Sequence, residues 1–125
     1  MTMLDADRML AWKNYPETRR FAIVSHAIIK RKNHLEWLAK NIQFFRMVVE
    51  KGRVCGAVRV QGREVSIWID RKFWGRGLAT RVVKKVSKKG SVAKIVAGNI
   101  DSLRCFIKAG YLPVSFRDGY YVFRK

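Results

Sequence analysis

Between Ser66 and Thr80 the chain reads Ser-Ile-Trp-Ile-Asp-Arg-Lys-Phe-Trp-Gly-Arg-Gly-Leu-Ala-Thr. An alternating apolar segment stops, two glycines follow with one residue between them, and a helical spacing of Leu78, Val82 and Val86 begins at once. Glycine lets a backbone approach a ligand closely. The first N–H groups of a helix have no acceptor in that helix, so such a turn can hold a phosphate or pyrophosphate. Arg71, Lys72 and Arg76 add positive charge there. The P-loop spacing Gly-x-x-x-x-Gly-Lys-Ser/Thr and the dinucleotide spacing Gly-x-Gly-x-x-Gly are both absent. On the glycines alone, a tight strand-to-helix turn with no ligand is an equal reading.

Other reactive side chains are few. Glu64 stands at the start of the strand that leads into this turn, on the face opposite Val65, Ile67 and Ile69. It is either a proton acceptor or a carboxylate neutralising Arg59 or Arg63. His26 and His34 have no neighbouring carboxylate or ligand spacing, which favours surface or structural roles. Cys55 and Cys105 are fifty residues apart with no Cys-x-x-Cys pattern, which favours buried thiols over a disulfide or a metal site.

Lys and Arg number 27 against nine Asp and Glu, a net charge of +18 spread along most of the chain. Self-repulsion on that scale points to a polyanionic partner: nucleic acid, the ribosome, an anionic surface or a phosphate-rich ligand. From Arg71 to Ile100 there are nine basic residues and no acidic one. Arg81, Lys84, Lys85, Lys88 and Lys89 fall on the polar face of one helix, a surface suited to phosphate contacts without sequence specificity. No apolar run reaches the ~18 residues of a membrane span, and the N-terminus shows no secretory pattern, so a cytoplasmic location is expected.

The elements that must position the turn can be read from period and punctuation. With 125 residues, 49% of them apolar, and no linker or repeat, the chain is expected to form a single domain over residues 1–125. Asp5 or Asp7 can cap a first helix carrying Met9, Leu10 and Trp12, and Pro16 suits the first turn of a second. Asn33 can cap a third, with Leu35, Leu38 and Ile42 on one face. Alternation then takes over: Phe45, Met47 and Val49; Val54, Gly56, Val58 and Val60; Val65, Ile67 and Ile69, joined by turns at Lys51-Gly52 and Gln61-Gly62. A helix from Gly77 to Lys89, a strand from Val92 to Ala97, a helix from Ile100 to Ala109 and a strand from Tyr111 to Phe116 follow. Asp118-Gly119 turns the chain into a last strand, Tyr120 to Phe123. The fold class is α+β.

These segments together resemble the GNAT superfamily of acyl-CoA-dependent N-acyltransferases. Its signature, Arg/Gln-x-x-Gly-x-Gly/Ala, is similar to Trp74-Gly75-Arg76-Gly77-Leu78-Ala79, with Trp74 standing where the Arg or Gln would be. Asn99-Ile-Asp-Ser102-Leu-Arg-Cys-Phe106-Ile-Lys-Ala-Gly110-Tyr111 resembles the family's second segment. Trp12-Lys13-Asn14-Tyr15-Pro16-Glu17-Thr18-Arg19 and His34-Leu-Glu-Trp37-Leu38 are similar to segments of the branch acting on ribosomal proteins and amino sugars. The resemblance implies a central mixed, mostly antiparallel sheet flanked by helices, with its usual first strand shortened or missing.

It also implies acetyl-CoA as co-substrate, held in a splay between two parallel strands, and direct attack on the thioester by the neutral amine of an acceptor. Ile67, Trp68 and Ile69 would line the pantetheine arm. Trp74, Gly75, Arg76, Gly77, Leu78, Ala79 and Thr80 would surround the pyrophosphate, and Asn99, Ser102 and Phe106 would complete the site. Glu64 would be the base. Where many relatives carry a Tyr acid the chain has Phe106, so Tyr111, Ser102 or a water would replace it, the thiolate would leave unassisted, or activity would be weak. The alternative is a GNAT fold kept for binding nucleic acid or the ribosome through its basic surface. An oligomer, with a partner completing the sheet edge, is compatible with both readings.

Overall fold

A computed structural model describes residues 2–20, 22 and 27–125; His26 lies outside them. The elements are α1 (Met3–Asn14), α2 (Pro16–Arg19), α3 (Arg31–Asn41), β1 (Phe45–Glu50), β2 (Arg53–Gln61), β3 (Glu64–Ile69), α4 (Leu78–Val86), β4 (Val92–Val96), α5 (Ile100–Lys108), β5 (Leu112–Arg117) and β6 (Tyr120–Arg124). Six strands form one sheet in the order β1-β2-β3-β4-β6-β5, and only β3 and β4 run parallel. No strand precedes Phe45 among the described residues, and β1 is an edge of the sheet.

Both faces of the sheet are covered, unequally. α4 and α5 pack on one face over Val58, Val65, Ile95 and Phe123, with Phe106 of α5 and Tyr111 just after it in the same core. α1 and α3 cover only the β1–β3 half of the other face, where Met9, Trp12 and Leu38 meet Phe45, Ala57 and Trp68. On the β4–β6–β5 half, all six residues of β5 are exposed.

Several expectations need correction. Thr2, not Asp5 or Asp7, caps α1: Thr2 Oγ1 accepts the Asp5 N–H while Asp5 Oδ2 accepts the Thr2 N–H. This is a capping box, which uses Asp5 three places inside the helix. α3 starts at Arg31 with Lys30 at its cap, so Asn33 sits within the first turn, and Ile42 lies past the helix end and is exposed. On β1, Val48 rather than Val49 is buried, because α4 and α5 cover the face that simple alternation left to solvent. In β2 the register steps from Val48↔Gly56 to Val49↔Val54, leaving Cys55 as an extra residue. That bulge sends Val54 to the α1/α3 face and Val58 and Val60 to the other. α4 stops at Val86, three residues short of the expected end. Cys55 and Cys105 are free thiols.

Candidate functional site

β3 and β4 touch at one ladder position, Glu64↔Val92, and diverge beyond it. The Asp70 N–H reaches the Cys55 carbonyl at 2.7 Å. Antiparallel alternation then turns the backbone of Glu64, Ser66 and Trp68 toward β2, and that of Ile67 and Ile69 toward β4. On β4, the bonds Ala97 N–H to Gly119 carbonyl and Lys125 N–H to Ser91 carbonyl turn Lys94 and Val96 toward β3 by the same rule. A V-shaped gap edged by peptide groups therefore opens from Glu64 toward the ends of both strands. The Ile69 carbonyl already accepts from Trp74 Nε1 at 2.7 Å, and the Trp74 ring meets Tyr15 edge-on at 6.0 Å.

At the open end lies the glycine turn. Gly75 and Gly77 have φ of +78° and +72°, and a Cβ built on either would meet no atom within 4 Å. Their freedom serves a left-handed backbone beside open space. Gly77 precedes α4 without a side-chain cap, and the first intrahelical bond is Arg81 N–H to the Gly77 carbonyl. The N–H groups of Leu78, Ala79 and Thr80 are thus left to an external acceptor. Asp70 shapes the approach: Oδ1 accepts the Lys72 N–H at 3.0 Å and Oδ2 the Trp12 indole at 3.2 Å. A hollow of about 550 Å³ beside the turn is lined by Glu50, Lys51, Arg53, Phe73, Arg76 and Arg81. An open left-handed glycine pair, free helix donors and clustered cations fit a pyrophosphate. Three places ahead of Gly75 stands Lys72, which adds a cation beside the turn.

The second arm of the gap ends at Asn99, whose Oδ1 accepts the Ser102 N–H at 3.4 Å and caps α5. Ser102 is half-buried there, and Phe106 is buried in the core. Burial raises the Cys105 thiol above its usual range, partly offset by the nearby Thr80 hydroxyl and the charge of Lys108. Tyr111 is not brought to the gap. It is wholly buried, its ring edge-on to Phe106 at 5.0 Å and its hydroxyl 2.5 Å from Ser87 Oγ at the far end of α4.

Glu64 stands at the apex of the gap, with its side chain on the α1/α3 side, where Oε1 is 3.3 Å from Arg59 Nη2. Trp68 shares this face, its backbone turned away from the gap. Sequence reasoning missed Lys13. Its Nζ lies 3.5 Å from the Trp37 ring centroid, 5.1 Å from Trp68 and 5.6 Å from Phe45. Burial, and then the charge of Arg59, push its pKa down to about 8. The available signal was its place directly after Trp12 in a helix already assigned a buried face. His34 is buried and donates Nε2–H to the Ala6 carbonyl at 2.9 Å. Burial, then Lys13, hold its pKa below the ordinary value. Its role is structural.

Among the described residues no group of His, Cys, Asp and Glu could hold a metal, and no helix is long and apolar enough to cross a membrane. No curated protein matches the chain by sequence. Solved structures do match in fold. A domain from Methanocaldococcus jannaschii is 21% identical, with TM-score 0.77, covering 100% of this chain and 94% of that one. A ribosomal-protein-alanine N-acetyltransferase from Brucella melitensis is 17% identical, with TM-score 0.75, covering 100% and 96%. The acetyltransferase yncA from Salmonella typhimurium, described as putative and solved with acetyl-CoA, is 17% identical, with TM-score 0.77, covering 100% and 90%. The profile of the acetyltransferase (GNAT) domain matches residues 1–112, which include both arms of the gap and the glycine turn: the chain belongs to the GNAT acetyltransferase family.

Proposed function

We propose that this protein transfers an acetyl group from acetyl-CoA to a primary amine in a ternary complex. The observation that carries this reading is the meeting of the β3/β4 gap with the uncapped start of α4 at Gly75 and Gly77. Bound there, acetyl-CoA supplies an activated thioester.

The chain's own residues supply the rest. Peptide groups of Ile67 and Ile69 on one arm, and of Lys94 and Val96 on the other, hold an extended amide-bearing chain between the strands. The N–H groups from Gly75 to Thr80, with Lys72 and Arg76, neutralise the pyrophosphate. Asn99 orients α5 against the same arm. Glu64, at the apex, takes the proton of the attacking amine, and Arg59 fixes the carboxylate without burying it. Phe106 has no proton to give and Tyr111 is committed to Ser87, so the thiolate leaves to water or to Ser102.

The test is an acetyl-CoA assay across a panel of amines, following release of free thiol and acetylated product together. Thiol release coupled to product, reduced at least tenfold in Glu64→Gln, supports the reading. Thiol release equal with and without amine contradicts it.

The second reading, a binding module for nucleic acid or the ribosome, rests on α4. Arg81, Lys84 and Lys85 are exposed on α4. Lys88 and Lys89 are exposed in the loop after its end rather than on the helix face the sequence suggested. Among these five only Arg81 has an ion-pair partner within the described residues, Glu50. Retention of single-stranded RNA with a steep salt dependence, without any acetyl transfer, would favour it.

A further inference from the structure

Across β1, β2 and β3 the residues Phe45, Arg59 and Ser66 stand opposite one another, and the next row is Met47, Ala57 and Trp68. Over these rows α1 lays Lys13 and α3 lays Trp37. The charges there do not balance. Arg59 Nη2 has Glu64, and Arg59 Nη1 has the uncharged Gln61 Oε1 at 3.1 Å. Lys13 Nζ takes part in none of the five ion pairs and none of the side-chain hydrogen bonds among the described residues. Arg59 alone pairs with the carboxylate, and Lys13 is a second cation without one.

The donors do not balance either. Arg59 Nε is buried with no acceptor. Lysine and arginine side chains have donors only, so no rearrangement within the pair can satisfy them. Rings around Lys13 offset part of its charge but accept none of its N–H bonds in the ordinary sense. A buried donor without an acceptor is rare and costly, and a ligand that supplies oxygens removes the cost. The side chain of Ser66, directly across from Arg59 and without a hydrogen bond among the described residues, adds another donor.

We propose that Lys13, Arg59 and Ser66 form a binding site for a small oxyanion, a carboxylate or a phosphate monoester, carried by the amine acceptor itself. The word acceptor rests on the acetyltransferase reading; the anion site does not. Glu64 lies two residues before Ser66 on the same strand face, about 7 Å away along the strand. An amine presented to Glu64 and an anion held by Lys13 and Arg59 are then separated by a few bonds. The substrate class is a small amino acid or amino phosphate.

The test reads the site directly. Lys13 Nζ lies 3.5 Å from the Trp37 ring centroid, so the ring current should move the neighbouring Cε protons away from those of exposed lysines and let NMR follow them alone. The protein is titrated at constant ionic strength with inorganic phosphate in one arm and acetate in the other. The proposal expects a saturable shift of Lys13, at least tenfold tighter than any response of Lys84 or Lys85, lost in Arg59→Met. The arm that saturates first names the anion. Lys13→Met, which keeps the aliphatic stem among the rings, is read at the Trp68 indole and should lose the same response. A Lys13 signal unmoved by both anions, or moved equally in Arg59→Met, overturns the proposal.

A companion assay compares amines with their neutral counterparts, a free carboxylate against its methyl ester and a phosphomonoester against its alcohol. At least tenfold higher kcat/KM for the anionic member, erased by Arg59→Met, is expected. Transfer without preference and without a Lys13 shift removes the anion site and leaves the enzyme. A Lys13 shift with no transfer to any amine keeps the anion site and removes the enzyme.

Discussion

The hydroxyl of Tyr111 lies 2.5 Å from that of Ser87, at the opposite end of α4 from the glycine turn. A nine-residue helix is about 13 Å long, so this hydroxyl cannot serve as a proton donor beside the gap. Tyr111→Phe should therefore cost about 1–2 kcal/mol of stability, because Ser87 loses a buried partner. It should leave kcat within about twofold. Urea melts and steady-state kinetics on one preparation check both, and a large fall in kcat at unchanged stability would return Tyr111 to the chemistry.

Among the described residues Glu64 is the carboxylate at the apex, and it also holds Arg59. With Glu64 as base, Glu64→Gln lowers kcat about 100-fold or more while KM for acetyl-CoA changes little. A purely structural carboxylate would give the reverse, a lower melting temperature with kcat preserved.

Lys13 makes stability depend on pH. Its folded pKa is about 8 against an ordinary 10.5, so the unfolded chain holds this proton more tightly. Stability contributed by neutral Lys13 is absent below about 8 and grows as pH rises toward 10.5, by up to ~3 kcal/mol. His34, also lowered, acts at acid pH: stability present above its ordinary 6.5 is lost as pH falls below that value. Denaturant melts of the parent and Lys13→Met should diverge between pH 8 and 10. Parallel curves would mean that Lys13 titrates like a surface lysine.

Gly56 is a packing requirement. A Cβ there would stand 2.2 Å from the Trp68 carbonyl and 2.9 Å from Ile69 Cδ1, in the strand pair that carries the gap. Gly56→Ala should destabilise the fold by about 3 kcal/mol and weaken acetyl-CoA binding as β3 shifts. A melting temperature within a degree of the parent would show that the bulge at Cys55 absorbs the extra carbon.

The glycine turn and the strand-helix order were legible because each depends on local chemistry: glycine conformations and alternation. Val65, Ile67 and Ile69 were placed correctly for that reason. The flip at Cys55 was not legible, since a bulge depends on the register of the neighbouring strand. Tyr111 looked available because its position beside the second segment is visible in sequence and its partner Ser87 is not. The pairing of Glu64 with Arg59 was one of the readings open in sequence, but Lys13 read as one charge among twenty-seven, and only packing shows it buried near Arg59.

The most direct test is calorimetric titration of acetyl-CoA into the parent protein and into Gly75→Glu across a range of salt. The glutamate brings a negative charge and a side chain into the open turn, at a φ of +78°. The account predicts parent binding that persists at moderate salt and weakens at least tenfold in the variant, whose melting temperature falls by several degrees for the strained φ but stays well above the titration temperature. Equal binding by both proteins, matched by inorganic polyphosphate and abolished by modest salt, would mean that the turn holds no cofactor and that only the basic surface was measured.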